Sequence, residues 1–204
     1  MIPPTTFALF VTASLALVLI PGPNHFYITA RGLAQGRAAG LASAFGVEAG
    51  TLVHIAAAAA GLSYVISQSA TLFAVVKWAG VAYLLYLGIR AFTGKETEGV
   101  APPPQPLRKV FLEGVLVNVL NPKVALFFLA FLPQFVRPEA GSPALQVLLF
   151  GLTLLLLGLL SDLVYAFTAG ALGTRLAARA KTLRYVSGFV YLGLGVATAF
   201  AGRK

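Results

Sequence analysis

Two short motifs place proline beside polar residues inside otherwise apolar stretches of the chain. They are Pro21-Gly22-Pro23-Asn24 and Asn121-Pro122-Lys123. Proline has no amide hydrogen and clashes with the preceding turn, so each motif is predicted to interrupt a helix. A helix that starts again inside a membrane presents unpaired amides and a positive dipole end, which together suit a carboxylate. The residues predicted to contact a substrate at the two breaks are Gly22, Pro23, Asn24, Asn121 and Lys123.

Two acidic residues, Glu48 and Asp162, lie deep inside apolar stretches. An ionisable group in hydrocarbon is costly and usually functional. Either carboxyl could bind a substrate ammonium or take up a proton, so we predict both roles for both residues. The alternative is an ion pair with Lys77 or Lys123 that only holds helices together. Glu113 lies one turn into its apolar stretch and is expected to be interfacial.

Asn118 is predicted as a further substrate contact. It lies four residues after Gly114 and three before Asn121, so the three residues share one helix face. We expect that face to be polar and open to a small ligand; a hydrogen bond between helices is the alternative for Asn118. His25 follows the first break directly and could relay protons near neutral pH, with a structural hydrogen bond as the alternative.

The composition is that of an integral membrane protein. Of the 204 residues, 58% are hydrophobic and 10% are charged, against about 25% charged in a soluble domain; the mean hydropathy is +0.87. The net charge of +9 belongs to residues that flank apolar segments, which favours anionic lipid over nucleic acid as the partner. With no cysteine and two histidines, we expect no metal site and no cofactor. No catalytic or nucleotide motif is present, so an enzyme is not expected.

Six segments are apolar and long enough to cross a membrane. They cover residues 7–30, 41–65, 70–92, 110–133, 144–169 and 185–201. The first and fourth are broken by the proline motifs. Residues 93–109 include Pro102-Pro103-Pro104 and are predicted to form an extended cytoplasmic linker between two repeats, 1–92 and 110–204. Residues 170–184 alternate leucine with basic residues, which predicts a short amphipathic connector on the membrane surface.

The basic residues predict the orientation. Ten of the 15 Lys and Arg residues lie near the loops after segments one, three and five. They are Arg31, Arg37, Arg90, Lys95, Arg108, Lys109, Arg175, Arg179, Lys181 and Arg184. The positive-inside rule places these loops in the cytoplasm and both termini outside. Segments one and four then run in opposite directions with breaks at matching positions, which is typical of two inverted three-helix repeats in a transporter.

The motifs together resemble the LysE/RhtB family of amino-acid exporters. They are Pro21-Gly22-Pro23-Asn24, the Gly36 and Gly40 pair, and Gly114-x-x-x-Asn118-x-x-Asn121-Pro122-Lys123. The resemblance covers the whole chain in length, segment number and motif order. It implies an all-α protein of the bacterial inner membrane with six helices, which exports amino acids or close derivatives and is driven by the proton gradient. The resemblance covers the residues at the breaks and the asparagines. The roles of Glu48 and Asp162 are predicted only from the cost of an ionisable group in hydrocarbon.

We therefore expect alternating access around a site at the membrane midplane, with the carboxylate of the substrate at the two helix starts and its amino group at the acids. The expected partners are an amino acid, protons and membrane lipid, and a homodimer is left open. The alternatives are an exporter of another small solute or of a metal ion on the same fold, or a passive channel.

Overall fold

The computed structural model describes residues 2–62, 70–93, 103–178 and 180–200, and these residues are helical without strands. The α-helices in the described part of the chain are α1 (Pro4–Leu19), α2 (Pro23–Gln35), α3 (Arg37–Ala57), α4 (Ala70–Thr93), α5 (Leu107–Val119), α6 (Pro122–Leu126), α7 (Pro143–Ala178) and α8 (Ala180–Phe200). A π-helical turn, Ala58–Leu62, extends α3. Helix α6 continues through a π-helical turn, Phe127–Phe131, and a 3-10 turn, Leu132–Phe135.

Both predicted breaks are present. Helices α1 and α2 meet at an angle of 46°, and α5 meets the helical stretch Lys123–Phe135 at 47°. At the second break Pro122 has no amide hydrogen to donate to the carbonyl of Asn118. That carbonyl instead accepts the Asn121 amide at 2.8 Å, in a tighter turn. The proline motifs therefore bend the chain at the two positions that the sequence predicts.

Two straight stretches within the described residues are long and apolar enough to cross a membrane, Arg37–Gly61 and Pro143–Ala169. Each bent pair passes the same test when its two helices are taken as one span. Length and composition thus give two to four spans in the described part of the chain. The predicted arrangement of six spans in two inverted repeats stays a prediction.

Several predicted boundaries differ from the observed ones. Helix α2 continues beyond residue 30 to Gln35 and ends at Gly36, whose φ of 84° favours glycine. Helix α7 continues through the predicted connector to Ala178, and α8 begins at Ala180. The amphipathic pattern of residues 170–184 falls largely on side chains outside the described ones. Most of the predicted linker, residues 94–102, also lies outside the described residues.

Glycines bring α3 close to α5. A Cβ atom at Gly46 would overlap the backbone carbonyl of Phe111, and one at Gly114 would lie 2.9 Å from the carbonyl oxygen of Ser43. The two glycines therefore let the backbones of α3 and α5 approach closely. This packing corrects the expectation of an open face on α5, because at Gly114 that face is closed by the α3 backbone.

An aromatic cluster fixes how the broken helices lie against α7. Phe7 and Phe10 contact Phe150, while His25 reaches Asp162, so α1 and α2 run alongside α7 in the same direction. The stretch after the second break runs the opposite way, because it starts beside Asn24 and its later residues contact Phe10. Helix α4 packs on α8. The two breaks are thereby brought together beside α3 and α7.

Candidate functional site

The two breaks are joined by side-chain hydrogen bonds. Asn121 Nδ2 donates to Asn24 Oδ1 at 2.8 Å, and Lys123 Nζ donates to the carbonyl oxygen of Ile20 at 2.9 Å. A Cβ atom at Gly22 would lie 3.6 Å from Lys123 Nζ. The cap residue of each break therefore lies beside the second residue of the other helix.

Each helix start is closed locally by a side chain. Asn121 Oδ1 accepts the backbone amide of Lys123 at 3.0 Å, which is the expected N-cap bond. At the first break the amide of Gly22 donates to His25 Nδ1 at 3.3 Å. Because Nδ1 is an acceptor in this bond, a neutral imidazole carries its hydrogen on Nε2. His25 therefore has the structural hydrogen bond that the sequence left as an alternative.

The two acids meet between α3 and α7. The carboxyl groups of Glu48 and Asp162 lie within hydrogen-bonding reach of one another. Asp162 Oδ1 is 3.5 Å from His25 Nε2, and Ser161 Oγ is 3.4 Å from the same nitrogen. Among the described side chains neither acid forms an ion pair with Lys123, and the Lys77 side chain lies outside those described. A continuous polar path thus runs from Gly22 through His25 to the two carboxyls.

Asn118 lies 1% exposed on the α5 side of the site. Its Nδ2 donates to Thr51 Oγ1 at 3.2 Å, so the helix-to-helix hydrogen bond considered as its alternative role is present. Its backbone carbonyl also accepts from His54 Nε2 at 3.2 Å. Two acceptors here receive no hydrogen bond from a described donor: Asn118 Oδ1 and Glu48 Oε2.

A cavity lies where these groups converge. Seven of the eight residues predicted to bind substrate line it, and so does His25. The seven are Gly22, Asn24, Glu48, Asn118, Asn121, Lys123 and Asp162. Pro23 is exposed in the first turn of α2 and does not line the cavity. It is the first residue of the helix, a position that favours proline. A cation, two carboxyls and amide groups around one cavity can bind a molecule that carries both charges.

The sequence reasoning missed part of the lining. Thr51 lies one turn after Glu48, and Gly158 lies one turn before Asp162, so the helical spacing of the acids could have predicted both. A Cβ atom at Gly158 would lie 2.5 Å from Glu48 Oε1. Nothing in the sequence marks the four apolar lining residues, Leu17, Val18, Val124 and Leu154.

Glu113 lies apart from the cavity. Its Oε2 pairs with Arg31 Nη2 at 2.6 Å and accepts the Tyr27 hydroxyl at 3.3 Å. Arg31 also donates to the carbonyl oxygen of Pro103 at 2.9 Å. Arg31 lies within α2, four residues before its end, and its side chain is 4% exposed, whereas that of Glu113 is 32% exposed; the interfacial position of Glu113 stays a prediction.

No group of three His, Cys, Asp or Glu side chains that could hold a metal ion occurs among the described residues.

Comparisons with known proteins find a family of translocators and relatives that are named efflux proteins. A sequence model described as LysE type translocator matches residues 15–202. The chain is 30% identical over 203 residues to the homoserine/homoserine lactone efflux protein of Salmonella typhimurium, which covers 96% of each chain. It is 30% identical over 149 residues to the leucine efflux protein of Klebsiella pneumoniae, covering 71% of this chain and 70% of the relative. No solved structure matches the chain.

Proposed function

Because the chain belongs to the LysE type translocator family, we propose that it exports amino acids or close derivatives across the bacterial inner membrane. It is a multi-pass membrane transporter rather than an enzyme. Relatives that are named efflux proteins for homoserine, homoserine lactone and leucine support the amino-acid class of substrate. The finer proposal is proton-driven alternating access around the cavity at the two breaks.

One observation carries the proposal: two residues that each hold a buried acceptor without a described donor line the same cavity as Lys123. Glu48 Oε2 and Asn118 Oδ1 receive no hydrogen bond from a described donor, and both residues line the cavity. Buried polar atoms are normally paired, so these acceptors are suited to a donor group on a bound solute. The α-ammonium of an amino acid supplies three such donors and a charge opposite to that of Glu48.

The carboxylate of the same substrate belongs at the other polar group of the cavity. Lys123 supplies the cation, and the first turn of α2 at Asn24 supplies amides without an intrahelical acceptor. Charge-assisted hydrogen bonds of this kind are about twice as strong as neutral ones. A zwitterion therefore fits with its carboxylate near Lys123 and its ammonium near Glu48.

The contacts across the breaks support two inverted repeats of three spans each. Asn121 is the cap of α6 and bonds Asn24, the second residue of α2; Gly22 is the cap of α2 and lies close to Lys123, the second residue of α6. A two-fold axis between the breaks generates such a reciprocal pair of contacts. The meeting of Glu48 and Asp162, from the second helix of each repeat, fits the same axis.

Proton coupling is proposed at the acid pair. Two carboxylates within reach of each other repel, which favours a proton shared between Glu48 and Asp162. An ammonium bound at Glu48 offsets that repulsion, so the shared proton can leave. When the substrate is released the repulsion returns, and the acid pair takes up a proton again. His25 links Asp162 to the first break and is proposed to relay the proton. The cycle exchanges an outgoing amino acid for incoming protons.

The test is efflux of radiolabelled leucine, homoserine and lysine, one at a time, from proteoliposomes with and without an imposed pH gradient. The wild type is expected to export at least one of them faster when the receiving side is acidic. Asn121→Ala should slow efflux under either condition, and Asp162→Asn should abolish the response to the gradient. Glu139→Gln, at an exposed carboxyl, is the matched control.

Each other outcome contradicts a different part of the proposal. Efflux that ignores the gradient would identify a passive channel, and competition by metal ions without amino-acid transport would identify a metal exporter. If Asn121→Ala and Asp162→Asn both behave like the wild type, the cavity is not the substrate site.

A further inference from the structure

The charged groups of the cavity suffice for the two ends of a zwitterion and no more. Among the described residues its lining contains one lysine, Lys123, and two acids that lie against each other, Glu48 and Asp162. The remaining titratable lining residue, His25, already bonds Gly22 and Asp162. Once a backbone carboxylate is bound at Lys123, no other lysine or arginine of the described lining is left for an acidic side chain, and a basic side chain would have to share the acid pair with the substrate's own ammonium.

Four residues of the lining are apolar, and they lie to one side of the breaks. Leu17 and Val18 precede the first break in α1, and Val124 follows the second break in a stretch that runs the opposite way. Leu154 precedes Asp162 by eight residues on α7, about 12 Å along the helix axis. Since α1 runs alongside α7 in the same direction, these four side chains surround the same end of the cavity.

That apolar end is closed by aromatic side chains. Leu17, Val18 and Leu154 belong to one buried cluster with Phe10, Phe127 and Phe150. Phe10 and Phe150 are both 0% exposed, and their ring centroids are 4.5 Å apart. The cluster limits the length of any side chain that enters from the cavity, and it offers no hydrogen-bond partner to a polar tip.

We infer that the cavity selects amino acids with an uncharged, largely aliphatic side chain, which packs against Leu17, Val18, Val124 and Leu154. This inference rests on the proposed function and names the substrate class of that site. Burial of a lysine or arginine head in this apolar end would leave a charge unpaired in low dielectric, which is strongly unfavourable. Glutamate and aspartate are disfavoured for the same reason.

The experiment is exchange transport in proteoliposomes with one radiolabelled amino acid at a time: leucine, valine, homoserine, lysine, arginine and glutamate. The expected kcat/KM for the best uncharged substrate exceeds that for lysine, arginine and glutamate by tenfold or more. A charged amino acid carried as well as the uncharged ones would overturn the inference while leaving the exporter proposal intact. Transport of none of the six would overturn both.

Two variants test the apolar lining itself. Leu154→Ala should raise KM for leucine about tenfold with little change in KM for homoserine, because only the longer side chain loses its contact. Leu156→Ala, two residues further on the exposed face of α7, is the matched control and should transport as the wild type. Leu154→Met preserves the apolar volume and should keep leucine transport. If Leu154→Ala changes both KM values equally, Leu154 does not contact the side chain of the substrate.

Discussion

The ammonium of Lys123 donates to the carbonyl oxygen of Ile20, 103 residues earlier in the chain, at 2.9 Å. The carbonyl is available because the helix that should use it stops at the first break. The ammonium beside the second break thus donates to a carbonyl that the first break leaves without a helical partner. This bond holds the ammonium at the cavity while its remaining hydrogens can reach a substrate carboxylate.

Replacing Lys123 by methionine should weaken substrate binding without unfolding the protein. The change removes a charge-assisted hydrogen bond, worth about 1.5–3 kcal/mol, so KM for efflux should rise roughly 10- to 100-fold. Methionine keeps most of the apolar stem. The measurement is initial efflux rate against internal substrate concentration.

Lys109→Met is the control for the loss of a basic residue, since Lys109 lies exposed on α5. An unchanged KM in Lys123→Met would show that the ammonium only ties the breaks together and does not bind the substrate.

His54 is expected to stabilise the second break. It donates to the Asn118 carbonyl, which cannot receive a hydrogen bond from Pro122. The same carbonyl also accepts the Asn121 amide, so loss of the His54 bond removes one of its two hydrogen bonds, at a cost of about 0.5–1.5 kcal/mol. His54→Leu should therefore lower the melting temperature by several degrees in detergent, whereas His54→Gln, which retains an N–H donor, should recover most of the loss. Equal melting temperatures for the Leu and Gln variants would contradict this role.

The breaks could be predicted from the sequence because the effect of proline on a helix is local. The same reasoning identified Glu48 and Asp162 as costly in a membrane, but it could not place their carboxyls together. That meeting depends on how α3 packs against α7, through contacts such as Gly158, that no local pattern encodes. His25 shows the same limit, since its partner Asp162 lies 137 positions away in the chain.

The predicted end of the first segment differs from the observed end of α2 because a single residue decides where that helix stops. The predicted end of the first segment near residue 30 ignored Gly36, whose positive φ ends α2 a full turn later. That turn carries Arg31 into the protein, where it meets Glu113. Arg31 still lies near the end of α2, and the excess of basic residues on the predicted cytoplasmic side does not depend on it.

Close contact of α3 with α5 should make Gly46 intolerant of any side chain. A Cβ atom there would overlap the Phe111 carbonyl, so Gly46→Ala must push the helices apart. Overpacking of this kind costs about 1–3 kcal/mol or more. Gly61→Ala is the matched control on the π-helical extension of α3, because nothing lies within 4 Å of its added Cβ. Thermal unfolding in detergent should show a clear loss for Gly46→Ala only, and equal stability of the two variants would refute the packing.

The pair of Arg31 and Glu113 should be coupled in stability. It joins α2 to α5, and the Arg31 side chain is buried while that of Glu113 is 32% exposed. Arg31→Ala removes the donor to the Pro103 carbonyl and the charged partner of Glu113, at a cost of about 1–3 kcal/mol for the lost charged hydrogen bonds. Glu113→Ala strands a buried guanidinium and should cost at least as much. The double variant should lose less than the sum of the two single losses, by about 1 kcal/mol or more. The melting temperatures of the wild type, the two single variants and the double variant give the coupling. Arg37→Ala, which changes an exposed arginine at the start of α3, is the control. Strictly additive losses would mean that the two charges do not stabilise each other.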